Sequence, residues 1–469
     1  MVDDAAADAL DDDGRPLVPR PRRAASDGEW FAPRAEERVH AVVDVPGSKS
    51  ETNRALLLAA IADAPSTITG GLDARDTRLM RDALRTLGVV VEDSGPVWTV
   101  TPAPEGHVMS GTIDCGLAGT VMRFVPPLAA ATAGRVRVDG DEQAYVRPML
   151  PLLDALRDIG ADLDEDAASL PFELRGRPDL PGGPVRVDAS SSSQYVSALL
   201  LAGPRMRRGI DVRHVGATLP SLPHIAMTVA MLRARGVEVD DSEPNRWVVS
   251  PGPVTAVDVT IEPDLSNAAP FLAAAAITGG QVTVPRWPAR TDQPGSLLPG
   301  LLRDLGAEVE LDERGLTVRG TGHLHAVDVD LSDASELTPV VAAVCALAPQ
   351  TSHLRGVGHI RGHETDRLAA LERELNDMGS SVKQTADGLT IHPRLLHGSL
   401  FHTYADHRMA HAGALLGLIV DDVTLDDISC TAKTMPQFPE LWLDMLRQSD
   451  EWLAAQGAPL GESDPEPGS

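Results

Sequence analysis

The chain has 469 residues, 43% of them hydrophobic, and a formal charge of −27 at neutral pH. That length suffices to bury two ordinary cores, and that charge excludes nucleic acid or an anionic membrane surface as the main partner, so any anion must be held by a local basic pocket. Cys115, Cys345 and Cys430 are odd in number and far apart, with no spacing suited to zinc or a redox dithiol, which points to a reducing, cytoplasmic setting.

In chain order, residues 1–33 mix the acidic run Asp11–Asp13 with Arg20, Arg22 and Arg23, and they lack the apolar stretch of a signal peptide. They read as a disordered tail. Beyond them the chain alternates two kinds of helix. Apolar, Ala- and Leu-rich helices opened by small or polar residues are expected over Thr52 to Ile61, Gly119 to Ala131, Ser193 to Leu201, Ser266 to Ile277, Leu337 to Leu347 and Asp406 to Val420. Helices with one charged face fall between them, over Thr77 to Leu87, Met149 to Ile159, Ile225 to Arg235, Leu297 to Leu305, Asp366 to Met378 and Phe438 to Leu446. Gly88, Gly160, Gly236, Gly306 and Gly379 follow five of this second set as left-handed caps, and Val-rich strands such as Val89 to Glu92 and Val237 to Val239 come next. The first kind is apolar nearly all round and must be buried; the second keeps a wet face. The spacing is about seventy residues, too long for a solenoid, and implies six copies of one α/β unit, three per domain. The chain should leave one domain and return near Ile261 to Leu265. One domain then comprises 48–264, and the other 34–47 together with 265–450. Residues 455–469, rich in Gly, Pro, Ser and Glu, read as a second disordered tail, and no apolar run is long enough to span a bilayer.

Only three lysines occur, Lys49, Lys383 and Lys433. In so arginine-rich a chain, lysine is retained where a compact, tunable ammonium is needed. Lys383 has no motif around it and reads as a solvated surface residue. Lys49 lies in Pro46-Gly47-Ser48-Lys49-Ser50, followed by Asn53 and Arg54: a turn, an ammonium, a hydroxyl and a guanidinium at a helix start, which suits a phosphate or carboxylate. It is not a nucleotide P-loop, because the glycine spacing is wrong. Further along come the Leu117-Ala118-Gly119-Thr120 turn with Arg123, then Arg147 before a helix, and Ser191 to Gln194 opening another. Capping uses one of those serines and leaves the others free. Ser221 and His224 follow, then Asp333 and Glu336, then Arg361, His363, Glu364, Asp366 and Arg367, then Asp406, His407 and Arg408, and finally Thr431-Ala432-Lys433-Thr434. An acidic chain has placed its basic residues at loop-to-helix junctions. His407 and His411 stand at i and i+4, but no Glu follows His407 and no third ligand is indicated, so metal binding is disfavoured. Cysteine nucleophilic catalysis is also weakly supported, since Cys115 and Cys345 lie in or beside apolar runs. No cofactor motif is present.

Taken together, Pro46 to Leu58, Gly119 to Arg123, Ser192 to Gln194, Glu364 to Leu368, Asp406 to Ala410 and Cys430 to Thr434 resemble the 5-enolpyruvylshikimate-3-phosphate (EPSP) synthase family in order and spacing, from about residue 36 to 448. The resemblance implies a two-domain inside-out α/β barrel of six βαβαββ repeats, closing on its substrates. It implies transfer of the enolpyruvyl group of phosphoenolpyruvate to the 5-hydroxyl of shikimate 3-phosphate, with release of phosphate, on the route to chorismate and aromatic amino acids. It implies no cofactor, a cytoplasmic monomer, and a target of glyphosate. Carried over position by position, Lys49, Ser50, Arg54, Ser192, Ser193, Gln194, Ser221, Glu336 and His363 correspond to the shikimate 3-phosphate side. Lys49, Gly119, Arg147, Gln194, Arg367, Arg408 and Lys433 correspond to the phosphoenolpyruvate side.

The implied chemistry is addition then elimination, with Glu336 as the base, Asp333 as the second choice, and Glu364 as the acid at the methylene carbon. Lys49 would assist as a donor if cationic neighbours depress its pKa. Departures from the family pattern are Leu117 where asparagine is common, His224 for tyrosine, His363 for lysine, and Glu336 for aspartate. A charged His363 would weaken shikimate 3-phosphate binding as pH rises above about 7. Gly119 leaves room beside the phosphoenolpyruvate pocket for glyphosate, whereas Leu117 changes that wall. The related transferase acting on UDP-N-acetylglucosamine typically carries a cysteine in the loop before the arginine equivalent to Arg147, and Gly140 to Val146 contains none. A silent binding module on the same scaffold is disfavoured by the retention of Lys49, Arg147, Glu336, Glu364, Arg408 and Lys433 together. Lys49 and Lys433, from different domains, are both expected on the same small anion.

Overall fold

A computed structural model describes residues 29–457. Twelve α-helices occur among them. In the first half these are α1 (Lys49–Ala60), α2 (Arg75–Thr86), α3 (Gly119–Ala130), α4 (Leu150–Asp158), α5 (Gln194–Ala202) and α6 (Leu222–Arg233). In the second they are α7 (Ala269–Thr278), α8 (Leu298–Asp304), α9 (Thr338–Leu347), α10 (Arg367–Asp377), α11 (His407–Gly417) and α12 (Phe438–Gly457). Each coincides with a helix expected from the hydrophobic pattern, although α12 runs eleven residues past the expected Leu446. The apolar helices are buried as anticipated, α3 and α11 along their whole length. Their sequences offer no face to water, so they pack on one another: α1, α3 and α5 in one group, α7, α9 and α11 in the other.

The five glycines expected as caps all adopt left-handed backbone, with φ between +76° at Gly236 and +101° at Gly306. After α2, Gly88 N–H donates to Arg85 and Val89 N–H reaches back to Leu84; the same paired closure recurs after α4, α6, α8 and α10. This satisfies terminal carbonyls and turns the chain sharply into the next strand.

The strands among the described residues form six sheets. Five have four strands in one order, in which the first is parallel to the second and the rest are antiparallel. Gly183–Val187 runs parallel to Ile210–His214, which pairs with Arg246–Val249, and that with Val239–Asp240. Two sheets borrow their first strand across the chain. Val259–Thr260 joins Ser66–Thr69, and His40–Val42 joins Gln281–Val284. The sixth sheet pairs Leu400–Phe401 with Thr424–Leu425, and Thr424–Leu425 with Trp30–Phe31.

Two separate hydrophobic cores result, one drawn from Ala55 to Ile261 and the other from Val39 to Val45 plus Leu265 to Met445. The chain passes between them twice, before Ala55 and after Ile261. The borrowed strands bind each crossing to a sheet, and Ser48 N–H to Glu262 O and Asp264 N–H to Pro46 O join the two crossings directly. Trp30–Phe31 falls in the stretch expected as a tail and is instead an edge strand, because its backbone completes the sheet beside Thr424–Leu425. The start of the expected C-terminal tail is likewise the last turn of α12. The remainder of both expected tails, 1–28 and 458–469, lies outside the described residues. No helix among those described is long and apolar enough to cross a membrane.

Candidate functional site

A narrow cleft of about 90 Å³ lies between the two cores, and most of the residues singled out by the sequence line it: Lys49, Ser50, Arg123, Arg147, Ser192, Gln194, His224, Glu336, His363, Glu364, Arg367 and Arg408. A larger groove of about 1060 Å³, bordered by 346–349, 393–400, 419–422 and Thr424, gathers none of them. Convergence has a simple origin. Lys49, Gln194 and His407 are the first residues of α1, α5 and α11, so the N-terminal ends of three buried helices open on the cleft, and their dipoles favour anions there.

From the first core, Ser48 caps α1, its hydroxyl accepting from Glu51 N–H, and this presents Lys49 to the cleft. The ammonium of Lys49 lies 3.4 Å from Asp76 Oδ2, and Asp76 is 1% exposed. The nearest charged partner of Lys49 is thus a carboxylate. Arg147 donates to Leu117 O at 2.9 Å, and Arg123 donates to Gln194 Oε1 at 2.8 Å while lying over the Tyr195 ring. A Cβ at Gly119 would meet both guanidinium groups at 3.0 Å. Ser192 Oγ accepts from Gln194 N–H.

From the second core, Asp406 caps α11 and grips Arg367 at 2.7 and 3.1 Å, a two-point contact that fixes the guanidinium plane. Arg367 then donates to Glu364 at 3.0 Å, and Lys433 donates to Glu364 at 2.5 Å and to Leu117 O at 3.2 Å. Burial would raise the Glu364 pKa, but Lys433, Arg367 and Arg147 hold it well below the usual carboxylate range. Lys433 is itself drawn down by burial, against the pull of Glu364 and Asp76. Arg408 donates to Ser266 O at 2.7 Å. Glu336 meets His224 across the cleft at 2.7 Å. Every cation here has a carboxylate or carbonyl against it, so the cleft is charge-dense rather than nakedly cationic, as burial of unpaired ions would require.

Several expected residues are placed differently. Arg54 is 1% exposed and does not line the cleft: its guanidinium donates to Ser50 O, Thr228 Oγ1 and His224 O, which fixes the two helix starts that carry Ser50 and His224. Ser193 and Ser221 are buried behind the surface. Ser221 holds left-handed backbone at φ 54°, and its N–H donates to Ser332 O of the opposite core. Asp333 does not line the cleft, whereas Glu336 does. The expectation of a charged His363 is not met. Burial and the adjacent Arg367 push its pKa well below 6.5, and its Nδ1 sits 3.0 Å from Arg367 Nη1 as an acceptor. Asp76, Asp264 and Gln293 carry no motif and were not anticipated. Asp264 accepts from Lys49 N–H, and Asp76 lies a single residue after the turn that opens α2, where only the fold reveals the ammonium beside it. Among the described residues no group of three or more His, Cys, Asp or Glu is arranged to hold a metal. The arrangement can bind two anions side by side and offer carboxylates and ammoniums to move protons between them.

A family model described as EPSP synthase (3-phosphoshikimate 1-carboxyvinyltransferase) matches residues 33–442. Two solved structures of EPSP synthase from Acinetobacter baumannii are similar in fold. One, at 2.37 Å, is 24% identical with a TM-score of 0.74, covering 89% of this chain and 98% of its own. The other is 24% identical with a TM-score of 0.71, covering 88% and 97%.

Proposed function

The chain belongs to the EPSP synthase family, and on that premise we propose how its own residues divide the work. The reaction is transfer of the enolpyruvyl group of phosphoenolpyruvate to the 5-hydroxyl of shikimate 3-phosphate, releasing phosphate, in the shikimate pathway to aromatic amino acids. Arg147, Arg367, Arg408, Lys433 and the Gly119 turn take phosphoenolpyruvate; Ser50, Ser192, Gln194 and His363 take shikimate 3-phosphate; Lys49 touches both. Arg54, Ser193 and Ser221 act on that second substrate by holding the loops that carry its ligands.

Glu336 is the base, favoured over Asp333 because it alone lines the cleft. As the 5-oxygen attacks the enol carbon, its proton passes to Glu336, and the methylene carbon takes a proton from Glu364, assisted by Lys49. Elimination returns the methyl proton to Glu364, and the hydroxyl proton leaves with phosphate. Glu364 is held ionised by Lys433 and Arg367, so it becomes an acid only when the anionic groups of phosphoenolpyruvate take over those cations. Binding phosphoenolpyruvate thereby arms the acid.

The six sheets with their helix pairs are the six βαβαββ units of a two-domain inside-out barrel, with 48–264 as one domain and 34–47 plus 265–450 as the other. The two unmixed cores and the repeated strand order support that division. A cytoplasmic monomer without a cofactor completes the reading.

The observation that carries these roles is the meeting, in one cleft, of Glu336, Glu364 and Lys49 with four arginines from both cores. Phosphate release assayed with each substrate alone and with both tests it: release is expected only with both. Activity on UDP-N-acetylglucosamine would favour the related transferase, and no release a silent module. Glu336→Gln and Lys49→Met are expected to fold normally and lose about 10²–10⁴ in turnover. Either variant retaining activity removes that residue from the mechanism.

A further inference from the structure

We propose that His224 and Glu336 form one proton-accepting pair, in which His224 is a positioning residue that presents the free oxygen of Glu336 to the substrate hydroxyl and sets the strength of that base. The proposal rests on the reading of Glu336 as the base.

The geometry divides the two carboxylate oxygens. Oε1 is anchored to His224 Nε2 at 2.7 Å, while Oε2 is buried without any partner in a residue that lines the cleft. A hydrogen bond to Oε1 leaves Oε2 as the available acceptor, and an unpartnered buried carboxylate oxygen is costly unless a ligand supplies its proton. The backbone that carries the imidazole is held from behind. His224 O accepts from Arg54 Nη2 at 3.0 Å and from Thr228 Oγ1 at 3.0 Å, so the first turn of α6 cannot shift without breaking buried bonds. His224 Nδ1 is buried and unpartnered. The pair therefore exists either as a neutral imidazole donating from Nε2, or as an imidazolium.

These two states make different bases. Glu336 sits in the short turn Ser335–Leu337, facing His224 from α6 and Arg408 from α11; Arg367 of α10 and His359 lie within electrostatic reach. Burial raises the Glu336 pKa, and the charge and hydrogen bond of a protonated His224, with a backbone hydrogen bond and Arg408, together more than reverse that, holding it below the usual carboxylate range. A carboxylate so stabilised is a weak proton acceptor. With neutral His224 the orienting hydrogen bond remains and the full charge is gone, so the base strengthens. In the addition step the O–H bond of the 5-hydroxyl breaks, the new C–O bond forms, and the proton goes to Oε2; His224 keeps its own proton throughout. His224 belongs to one core and Glu336 to the other, so the pair assembles only when the halves meet.

The test measures kcat and KM for shikimate 3-phosphate from pH 5.5 to 8.5, at saturating phosphoenolpyruvate, for the wild type, His224→Gln, His224→Leu and Glu336→Gln, with thermal melts as a fold check. Wild-type kcat is expected to fall as pH drops. His224→Leu should lose about 10- to 100-fold in kcat, the worth of a hydrogen bond to a charged group, with KM nearly unchanged. His224→Gln, which restores a donor that cannot titrate, should recover most of that loss and flatten the acid limb. A wild-type kcat in His224→Leu, an unchanged limb in His224→Gln, or a change confined to KM would overturn the pairing. If His224→Leu does not fold, the limb of His224→Gln decides alone. Activity in Glu336→Gln would instead remove the base assignment beneath it.

Discussion

The carbonyl of Leu117 accepts from both Arg147 and Lys433, cations that come from opposite cores. A position where the family commonly has a side-chain amide thus works here through its backbone, and the loss of asparagine leaves the cation frame intact. Gly119, two residues on, has less latitude. A Cβ there would stand 3.0 Å from Arg123 Nη1 and Arg147 Nη2, tight enough to displace both. Gly119→Ala is expected to raise KM for phosphoenolpyruvate by about tenfold, since small misplacements of oriented groups are amplified in the reacting complex. Its KM for shikimate 3-phosphate should stay near the wild-type value, and steady-state kinetics in each substrate distinguish the two. His363 behaves oppositely to its free amino acid. Its pKa lies well below 6.5 because burial and Arg367 both disfavour the imidazolium. Affinity for shikimate 3-phosphate between pH 7 and 8 should therefore vary by less than about twofold on its account, and calorimetric titration across that range would reveal a charged His363 as a steady weakening with rising pH. The sequence offered histidine as a titratable phosphate ligand; its neighbours decide that it is neutral.

At the level of elements, helix type and helix end were written locally. Ala- and Leu-rich segments without a polar face had to be interior, and glycine after each amphipathic helix had to take left-handed backbone, which it does at all five places. The cost of replacing these glycines is not local, however. At Gly236 a Cβ would make ordinary contact with Thr255 Oγ1 at 3.4 Å, so Gly236→Ala should cost only the conformational penalty, about 1 kcal/mol. At Gly306 a Cβ would stand 2.4 Å from His323 O, a backbone atom that cannot step aside. Gly306→Ala should be clearly the less stable of the two in thermal melts, and equal melting would argue against that close approach. Residues 29–33 were illegible for a related reason. Trp30–Phe31 gains strand form only from a partner nearly four hundred residues later, and a two-residue strand carries no periodicity of its own.

For the whole molecule, the two cores meet through Lys433 to Leu117 O, Ser221 N–H to Ser332 O, and His224 to Glu336. Each contact involves a residue in or beside the cleft, so closing the halves and completing the site are one event. The cleft as it stands is narrow, and we expect the halves to part before two phosphorylated substrates enter. Small-angle scattering is expected to show a smaller radius of gyration with shikimate 3-phosphate present than without it. An unchanged radius would mean that entry requires no parting. The two crossings, tied into sheets by His40–Val42 and Val259–Thr260, are the natural pivots.

Sequence alone determined the periodic, nearest-neighbour features: which helices are interior, where they are capped, and which motifs gather anion-holding groups at helix starts. Those follow from local sterics and from the apolar pattern of each segment, and they need no partner to be read. Tertiary structure alone decided the pairings. It set Asp76 beside Lys49, held Arg54 back to brace Ser50 and His224, bound Glu364 to Lys433, and joined His224 to Glu336. Charge, protonation and reach depend on distances between groups far apart in the chain, and only packing fixes those distances.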